Sequence, residues 1–261
     1  MDASHASRAG RIIAFANQKG GVGKTTTTIN LAAYLARGGR SVLICDIDPQ
    51  GNSTSGLGVD KNTLEATLYE VLFNRAEANE IILEVGNQNL FLLPANAQLA
   101  GAEVELVQTN NREHKLKSVL ARLDYDYILI DCPPALGLLT VNALTAADEV
   151  LIPVQAEYYA MEGLSQLLSV IQHVRQALNP QLNILGIIIT LFDSRTSLSE
   201  QVKKELEKHF GEKVLKTVIP RNVRLAEAPS FGKTIVEHDK WSKGARAYKA
   251  LAKEVEKKVN G

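Results

Sequence analysis

The chain has 261 residues, 29 Lys+Arg against 29 Asp+Glu, and 45% hydrophobic residues. That length suits one large α/β domain, or two at most, with enough apolar content to form a core without covalent staples. The two cysteines, Cys45 and Cys132, lie in apolar runs without metal-ligand spacing, which suggests buried thiols in a reducing compartment, and no apolar stretch approaches the ~20 residues of a membrane span.

In chain order, Met1 to Arg8 lacks the hydrophobic centre of a signal peptide. Residues 1–10 read as a flexible leader, residues 11–261 as one domain, and the compartment as cytoplasmic. The apolar run Ile12–Ala16 reads as a strand and Thr28–Ala36 as a helix. Between them lies Lys19-Gly20-Gly21-Val22-Gly23-Lys24-Thr25-Thr26. A glycine-rich turn from a strand into a helix N-terminus is a polyphosphate cradle: the glycines admit backbone N–H groups to the phosphates, and the helix dipole favours negative charge there. Lys24 is placed to reach the β- and γ-phosphates and the Thr25 hydroxyl to hold Mg²⁺, so ATP and Mg²⁺ are the expected ligands. The usual P-loop pattern has a glycine where this chain has Gln18, and the chain adds Lys19. A bare strand–helix turn is the competing reading, and Gly23-Lys24-Thr25 in this context weighs against it.

The next strand, Val42–Asp46, runs into Asp46-Ile47-Asp48-Pro49-Gln50-Gly51-Asn52. Asp48 sits one side-chain alternation past Asp46, in a loop able to approach the γ-phosphate, and is the candidate for orienting the attacking water. Leu90–Leu93 reads as a strand and Leu116–Leu123 as a helix. Tyr127–Asp131 is a buried strand ending in Asp131-Cys132-Pro133-Pro134, and Asp131 is the expected holder of Mg²⁺ through water. Either aspartate alone could be a cap or turn residue; two at strand ends beside a P-loop favour chemistry. Glu149–Pro153, Ile184–Thr190 and Val214–Ile219 complete the strands, with helices over Met161–Leu178, Ser199–Phe210 and Ala245–Val259. This alternation predicts a single-domain α/β fold, a mostly parallel twisted sheet with helices on both faces, binding ligands at the carboxyl ends of its strands.

Charge is polarised along the chain. From Arg195 onward there are 16 Lys+Arg against 9 Asp+Glu, leaving 13 against 20 in the preceding part. A net +7 balanced by −7 suggests an anionic macromolecule docking on the C-terminal part, although solvated helix faces explain it equally well.

Taken together, Lys-Gly-Gly-Val-Gly-Lys-Thr-Thr, Asp-Ile-Asp-Pro-Gln-Gly-Asn and Asp-Cys-Pro-Pro resemble the ParA/MinD group of deviant-Walker ATPases. Gln98-Leu99-Ala100-Gly101-Ala102-Glu103, Phe192-Asp193-Ser194-Arg195-Thr196 and the segment from Ile219 to Pro229 narrow the resemblance to the chromosomal ParA (Soj) branch. It runs from about Arg11 to the C-terminus. The resemblance implies a slow ATPase that dimerises on ATP, binds double-stranded DNA without sequence preference on the nucleoid, and works with a ParB-type partner whose basic N-terminal peptide stimulates hydrolysis. It makes Lys19 the signature lysine that reaches the nucleotide of the other subunit, so Lys19, Lys24 and Asp48 are the candidate catalytic residues. It places Pro220 and Asn222 by the adenine, and Arg195 and Arg224 on DNA, with Lys203, Lys233, Lys243 and Arg246 as weaker members of the same surface.

The rival is a MinD-like membrane-associated ATPase, which needs a C-terminal helix with bulky apolar residues on one face and cations on the other. The segment Ala250 to Val259 has a thin apolar stripe and no aromatic residue, so it reads as a packed surface helix and no membrane contact is expected. Trp241 and Tyr248 are able to stack on a base, but packing is the favoured reading for both.

Overall fold

Strands of Val, Ile and Leu with no polar alternation must be covered on both faces, and the helical segments between them supply the cover. A computed structural model describes residues 10–86, 89–158 and 160–260, without the side chains of Ala160 and Glu162; the leader expected at residues 1–10 lies, apart from Gly10, outside them. The elements are β1 (Arg11–Phe15), α1 (Lys24–Arg37), β2 (Val42–Asp46), α2 (Asn52–Gly56), α3 (Leu68–Leu72), α4 (Ala78–Ile81), β3 (Leu83–Glu84), β4 (Leu90–Leu93), α5 (Leu99–Val107) and α6 (Lys115–Leu120). There follow β5 (Tyr127–Asp131), α7 (Leu138–Ala146), β6 (Glu149–Gln155), α8 (Ala160–Ala177), β7 (Asn183–Phe192), α9 (Ser197–Phe210), β8 (Val214–Pro220), α10 (Val223–Glu227), α11 (Ile235–His238) and α12 (Lys243–Asn260).

Among the described residues eight strands form one sheet in the order β3-β4-β2-β5-β1-β6-β7-β8. Every pairing is parallel except β3 with β4. The expected mostly parallel sheet is therefore present, with one short antiparallel edge strand that the sequence pattern does not announce. Successive side chains point to opposite faces, so Ala14, Leu43, Cys45, Ile128 and Ile130 join one core with α3, α5, α6, α7, α8 and α9. Ile13, Phe15, Ile44 and Leu129 join the other with α1, α10, α11 and α12.

The C-terminal helix is the main cover of that second face. Tyr248 is fully buried there and its hydroxyl meets Thr27 Oγ1 at 3.1 Å, as a packing residue should. Trp241 does not follow the packing expectation: it is 78% exposed. No helix among the described residues is long and apolar enough to cross a membrane.

Two glycines let distant segments touch. Gly58 follows α2 and Gly232 precedes α11, both with positive φ (83° and 61°). A Cβ on Gly232 would lie 2.5 Å from Gly58 Cα, which no L side chain tolerates, and backbone rather than a flexible side chain would have to yield. Gly232→Ala should cost about 2 kcal/mol or more from left-handed strain and overpacking together, read as a lower midpoint in urea unfolding. An unchanged midpoint would show that the 228–233 segment is not fixed by this contact.

Candidate active site

The order β2-β5-β1 puts three strand ends side by side. Asp131 of β5 is in register with Asp46 of β2 on one side and with Phe15 of β1 on the other, so the loops that follow converge on one point. The loop after β1 turns through Gly21 and Gly23 with φ of 74° and 84°. A Cβ on Gly21 would meet no atom within 4 Å, so this backbone borders open space. The loop is tied down from outside, where Thr190 Oγ1 of β7 donates to Val22 O at 2.7 Å and Asn17 Nδ2 donates to Pro153 O at 2.7 Å, and within itself, where Lys19 N donates to Asn17 Oδ1 at 3.0 Å. Helix α1 begins at Gly23 with no side-chain cap and no acidic residue in its first turn. Its leading N–H groups are thus left for an anion. Lys24 is buried, with Nζ donating to Lys19 O at 3.2 Å. Burial lowers its pKa, and Asp131, Cys132 and Asp48 oppose the drop.

Facing the loop is a buried carboxylate pair. Asp131 Oδ2 accepts from Thr25 Oγ1 at 2.7 Å and from Ser53 Oγ at 2.8 Å. Asp46 Oδ2 accepts from Thr54 N at 2.9 Å and Thr54 Oγ1 at 2.8 Å, and Asp46 Oδ1 from Asp48 N at 3.2 Å. Burial pushes both carboxyls well above the usual range, and for Asp46 the neighbouring Asp131 adds to it. Asp131 Oδ1 is buried with no hydrogen-bond partner.

An orphaned carboxylate oxygen beside the Thr25 hydroxyl fits a magnesium ion, taken directly or through water. Among the described residues no group of three or more His, Cys, Asp or Glu forms a metal cage. Mg²⁺ keeps most of its waters and binds through one or two protein groups plus substrate phosphates. Magnesium bound there neutralises charge on the β- and γ-phosphate oxygens.

A cleft of about 500 Å³ opens in front of these groups. Gly20, Gly21, Gly23, Lys24, Thr25, Thr26 and Asp48 line it, so most of the residues expected to hold the nucleotide come together. Val22 does not: its side chain is buried and its carbonyl is used by Thr190. Pro220 and Asn222 are also absent from the lining. Asn222 instead accepts from Leu225 N at 3.3 Å as the cap of α10, and the wall on that side is made by Ala228, Pro229, Ser230 and Lys233. Lys233, grouped by sequence with the DNA surface, thus borders the cleft. Lys19 stands at the rim, its Nζ 2.8 Å from Glu157 Oε2 in the same chain, both side chains being about two-fifths exposed (40% and 44%).

Arg195 and Arg224 follow the adjacent strands β7 and β8, joined where Arg221 N donates to Phe192 O at 3.0 Å. Both are exposed and ion-paired, Arg195 with Asp193 at 2.7 Å and Arg224 with Glu227 at 2.9 Å. Lys243 and Arg246 are exposed on the first turns of α12, beside α10, where Gly244 packs on Leu225. Lys203 sits apart on α9, 3.9 Å from Glu207. Sequence reasoning missed Ser53 and Thr54, which hold Asp131 and Asp46. Their signal was a pair of hydroxyl residues immediately after Gly51-Asn52 in the motif already singled out.

The fold and the cleft define a P-loop ATPase with a second lysine on its phosphate loop. A model of the AAA domain matches residues 10–184. The chain is 57% identical over 248 residues to the sporulation initiation inhibitor protein Soj of Bacillus subtilis (strain 168), covering 94% of this chain and 98% of that protein. It is 53% identical over 251 residues to the chromosome partitioning protein ParA of Myxococcus xanthus (strain DK1622), covering 95% and 89%. A solved structure of cobyrinic acid a,c-diamide synthase from Mycobacterium smegmatis, with an ATP analogue and magnesium, superposes with a TM-score of 0.86 at 40% identity, covering 97% of each chain. The chain belongs to the ParA/Soj family of chromosome-partitioning ATPases. It uses ATP with Mg²⁺ and hydrolyses the nucleotide.

Asp131→Asn separates charge from shape. Because the folded carboxyl has a raised pKa, its ionised form opposes folding near neutral pH. The nucleotide-free variant should therefore melt no lower than the parent, while the rise in melting temperature produced by Mg²⁺ with ATP should largely vanish. A full Mg²⁺-dependent rise in differential scanning calorimetry would remove Asp131 from the metal site.

Proposed function

We propose that two ATP-bound copies of this chain join face to face, bind duplex DNA without sequence preference on the nucleoid, and drive segregation of a chromosome or plasmid with a ParB-type partner that stimulates hydrolysis. The observation that carries this reading is the division of labour between the two loop lysines. Lys24 is buried within the cleft, whereas Lys19 stands at its exposed rim, held only by a surface ion pair. A rim cation adds nothing to its own cleft that Lys24 does not already supply, but it can reach a nucleotide brought up by a second copy.

In this reading the backbone N–H groups from Gly20 to Thr26 hold the phosphates and Lys24 neutralises the β- and γ-oxygens. Thr25 and Asp131 hold Mg²⁺, and Asp48 orients the attacking water. Pro220 and Asn222, which the family resemblance puts by the adenine, precede the Ala228–Ser230 wall in the chain, and Asn222 would have to leave its α10 cap to reach the base. Lys19 binds in trans, so the γ-phosphate stabilises the dimer more than the monomer, which is what a nucleotide switch requires. Two copies of one modest positive surface (Arg195, Arg224, Lys233, Lys243 and Arg246, with Lys203 further out) then engage one duplex, and avidity links ATP state to DNA state. Relatives named for chromosome partitioning, at 53% and 50% identity, favour this over amide synthesis. A MinD-like membrane role finds less support, because α12 already spends its apolar face, Tyr248, Leu251, Val255 and Val259, on the core.

Lys19→Ala should retain ATP binding yet form no dimer with a non-hydrolysable analogue in size-exclusion chromatography; tight dimers of the variant would refute the trans role. Arg224→Ala and Arg195→Ala should weaken duplex binding alike for every sequence, and each should make the slope of log K against log salt shallower by about 1. A sequence-selective loss, or unchanged affinity, would move the DNA surface elsewhere.

A further inference from the structure

A second concave site lies outside the ATPase machinery. Between the end of α1 and the exposed side of α12 is a groove of about 510 Å³, lined by Tyr34, Arg37, Lys240, Trp241, Lys249 and Lys253. Glu256 is the one carboxylate of the lining, and it is engaged by Arg40 Nε at 3.1 Å. The four cations differ from Arg195 and Arg224 in one respect: among the described residues none of them forms an ion pair. Lys249 and Lys253 stand four residues apart on α12, a like-charge spacing that destabilises a helix on its own.

The aromatic groups complete the pattern. Trp241 offers a nearly bare indole at the mouth of the groove, with the Lys240 ammonium 5.3 Å from its ring centroid. Tyr34 is half-buried beside it, and burial raises its phenol pKa, keeping it neutral. An exposed π-face next to unpaired cations is the combination that binds nucleic acid strands, with bases stacking and phosphates tracking the charges. In a duplex the base faces are already occupied by neighbouring pairs, so an indole platform is useful only where bases are unpaired.

We propose that this groove binds single-stranded nucleic acid, one base stacking on Trp241 while the flanking phosphates lie along Arg37, Lys249 and Lys253. The groove adjoins the Arg224 surface through Asp239, whose Oδ1 accepts from Trp241 N at 3.1 Å and whose Oδ2 lies 3.7 Å from Arg224 Nε. A strand unpaired at the edge of a duplex can therefore pass from one to the other. The groove is complete within a single copy and needs neither ATP nor a dimer.

Trp241 is the only tryptophan in the chain, so its emission reports directly on the site. Nucleotide-free protein is titrated with a short oligo-dT, with a blunt duplex of equal length, and with vesicles of anionic phospholipid. Saturable quenching by oligo-dT that weakens with salt is expected, with at least tenfold weaker binding for the double variant Lys249→Glu/Lys253→Glu and unchanged quenching for Lys117→Ala, which removes an exposed cation on α6 across the sheet. Trp241→Phe, followed by anisotropy of labelled oligo-dT, should also bind several-fold more weakly. Absence of quenching, equal quenching by the duplex, or a weakening in Lys117→Ala that matches the double variant would overturn the assignment. A blue shift with vesicles at lower concentration than any oligonucleotide effect would assign the groove to a lipid surface instead. Because no ATP is present, the result is separate from whether ATP-bound dimers grip duplex DNA.

Discussion

Two carboxylates forced together at the centre of a parallel sheet set the terms for the rest of this molecule. The pairing of β2 with β5 places Asp46 and Asp131 in register, both fully buried. Two adjacent anions in a dry environment are unfavourable, and the site offers only partial relief. Ser53, Thr54, Thr25 and backbone N–H groups donate to three of the four oxygens, and Lys24 contributes one cation whose own charge is disfavoured by burial. The remaining oxygen waits for a proton or a metal. A divalent cation bound beside Asp131 with its triphosphate would relieve an imbalance the fold itself creates.

That imbalance explains the supporting architecture. The phosphate loop is bound to β6 and β7 through Asn17 and Thr190, so it cannot collapse onto the carboxylates when no ligand separates them. Helix α1 is held from the far side by α12, with Tyr248 bonded to Thr27 near the helix start. The 228–233 segment closes the cleft by leaning on α2, where Gly58 and Gly232 allow backbone to touch backbone. Each tie is remote in sequence, and each holds a wall of the same cavity.

Much of this is legible from the sequence, for a physical reason. Strands buried on both faces are continuous apolar runs, and seven of the eight strands are visible that way; only the two-residue β3, half polar, carries no such signal. Strand-end aspartates and a glycine-lysine-threonine turn reveal the site because local backbone geometry alone dictates their position. What stays hidden depends on tertiary contact. The roles of Ser53 and Thr54 exist only once β2 and β5 are neighbours. Pro220 and Asn222 fall outside the lining because the chain after β8 turns back through α10, so that later residues make the wall. Trp241 reads as a packing residue, yet α12 begins just after it and turns Tyr248, not Trp241, inward.

The balance at the rim decides whether the proposed switch can work. Lys19 is retained by Glu157, itself hydrogen-bonded to Gln155. A pair this exposed contributes about 0–1 kcal/mol, so releasing Lys19 costs little. The same ammonium placed against a triphosphate, in a seam from which water is excluded, would act at a far lower effective dielectric. The ion pair is thus weak enough to yield to a nucleotide presented by a second copy in the proposed dimer. A deeply buried partner for Lys19 would have locked the monomer, and no partner at all would have left a flexible cation with more entropy to lose on docking. In the proposed dimer, a lysine at the edge of the cleft, with a carboxylate of middling exposure, would let the γ-phosphate rather than the protein decide when two chains meet.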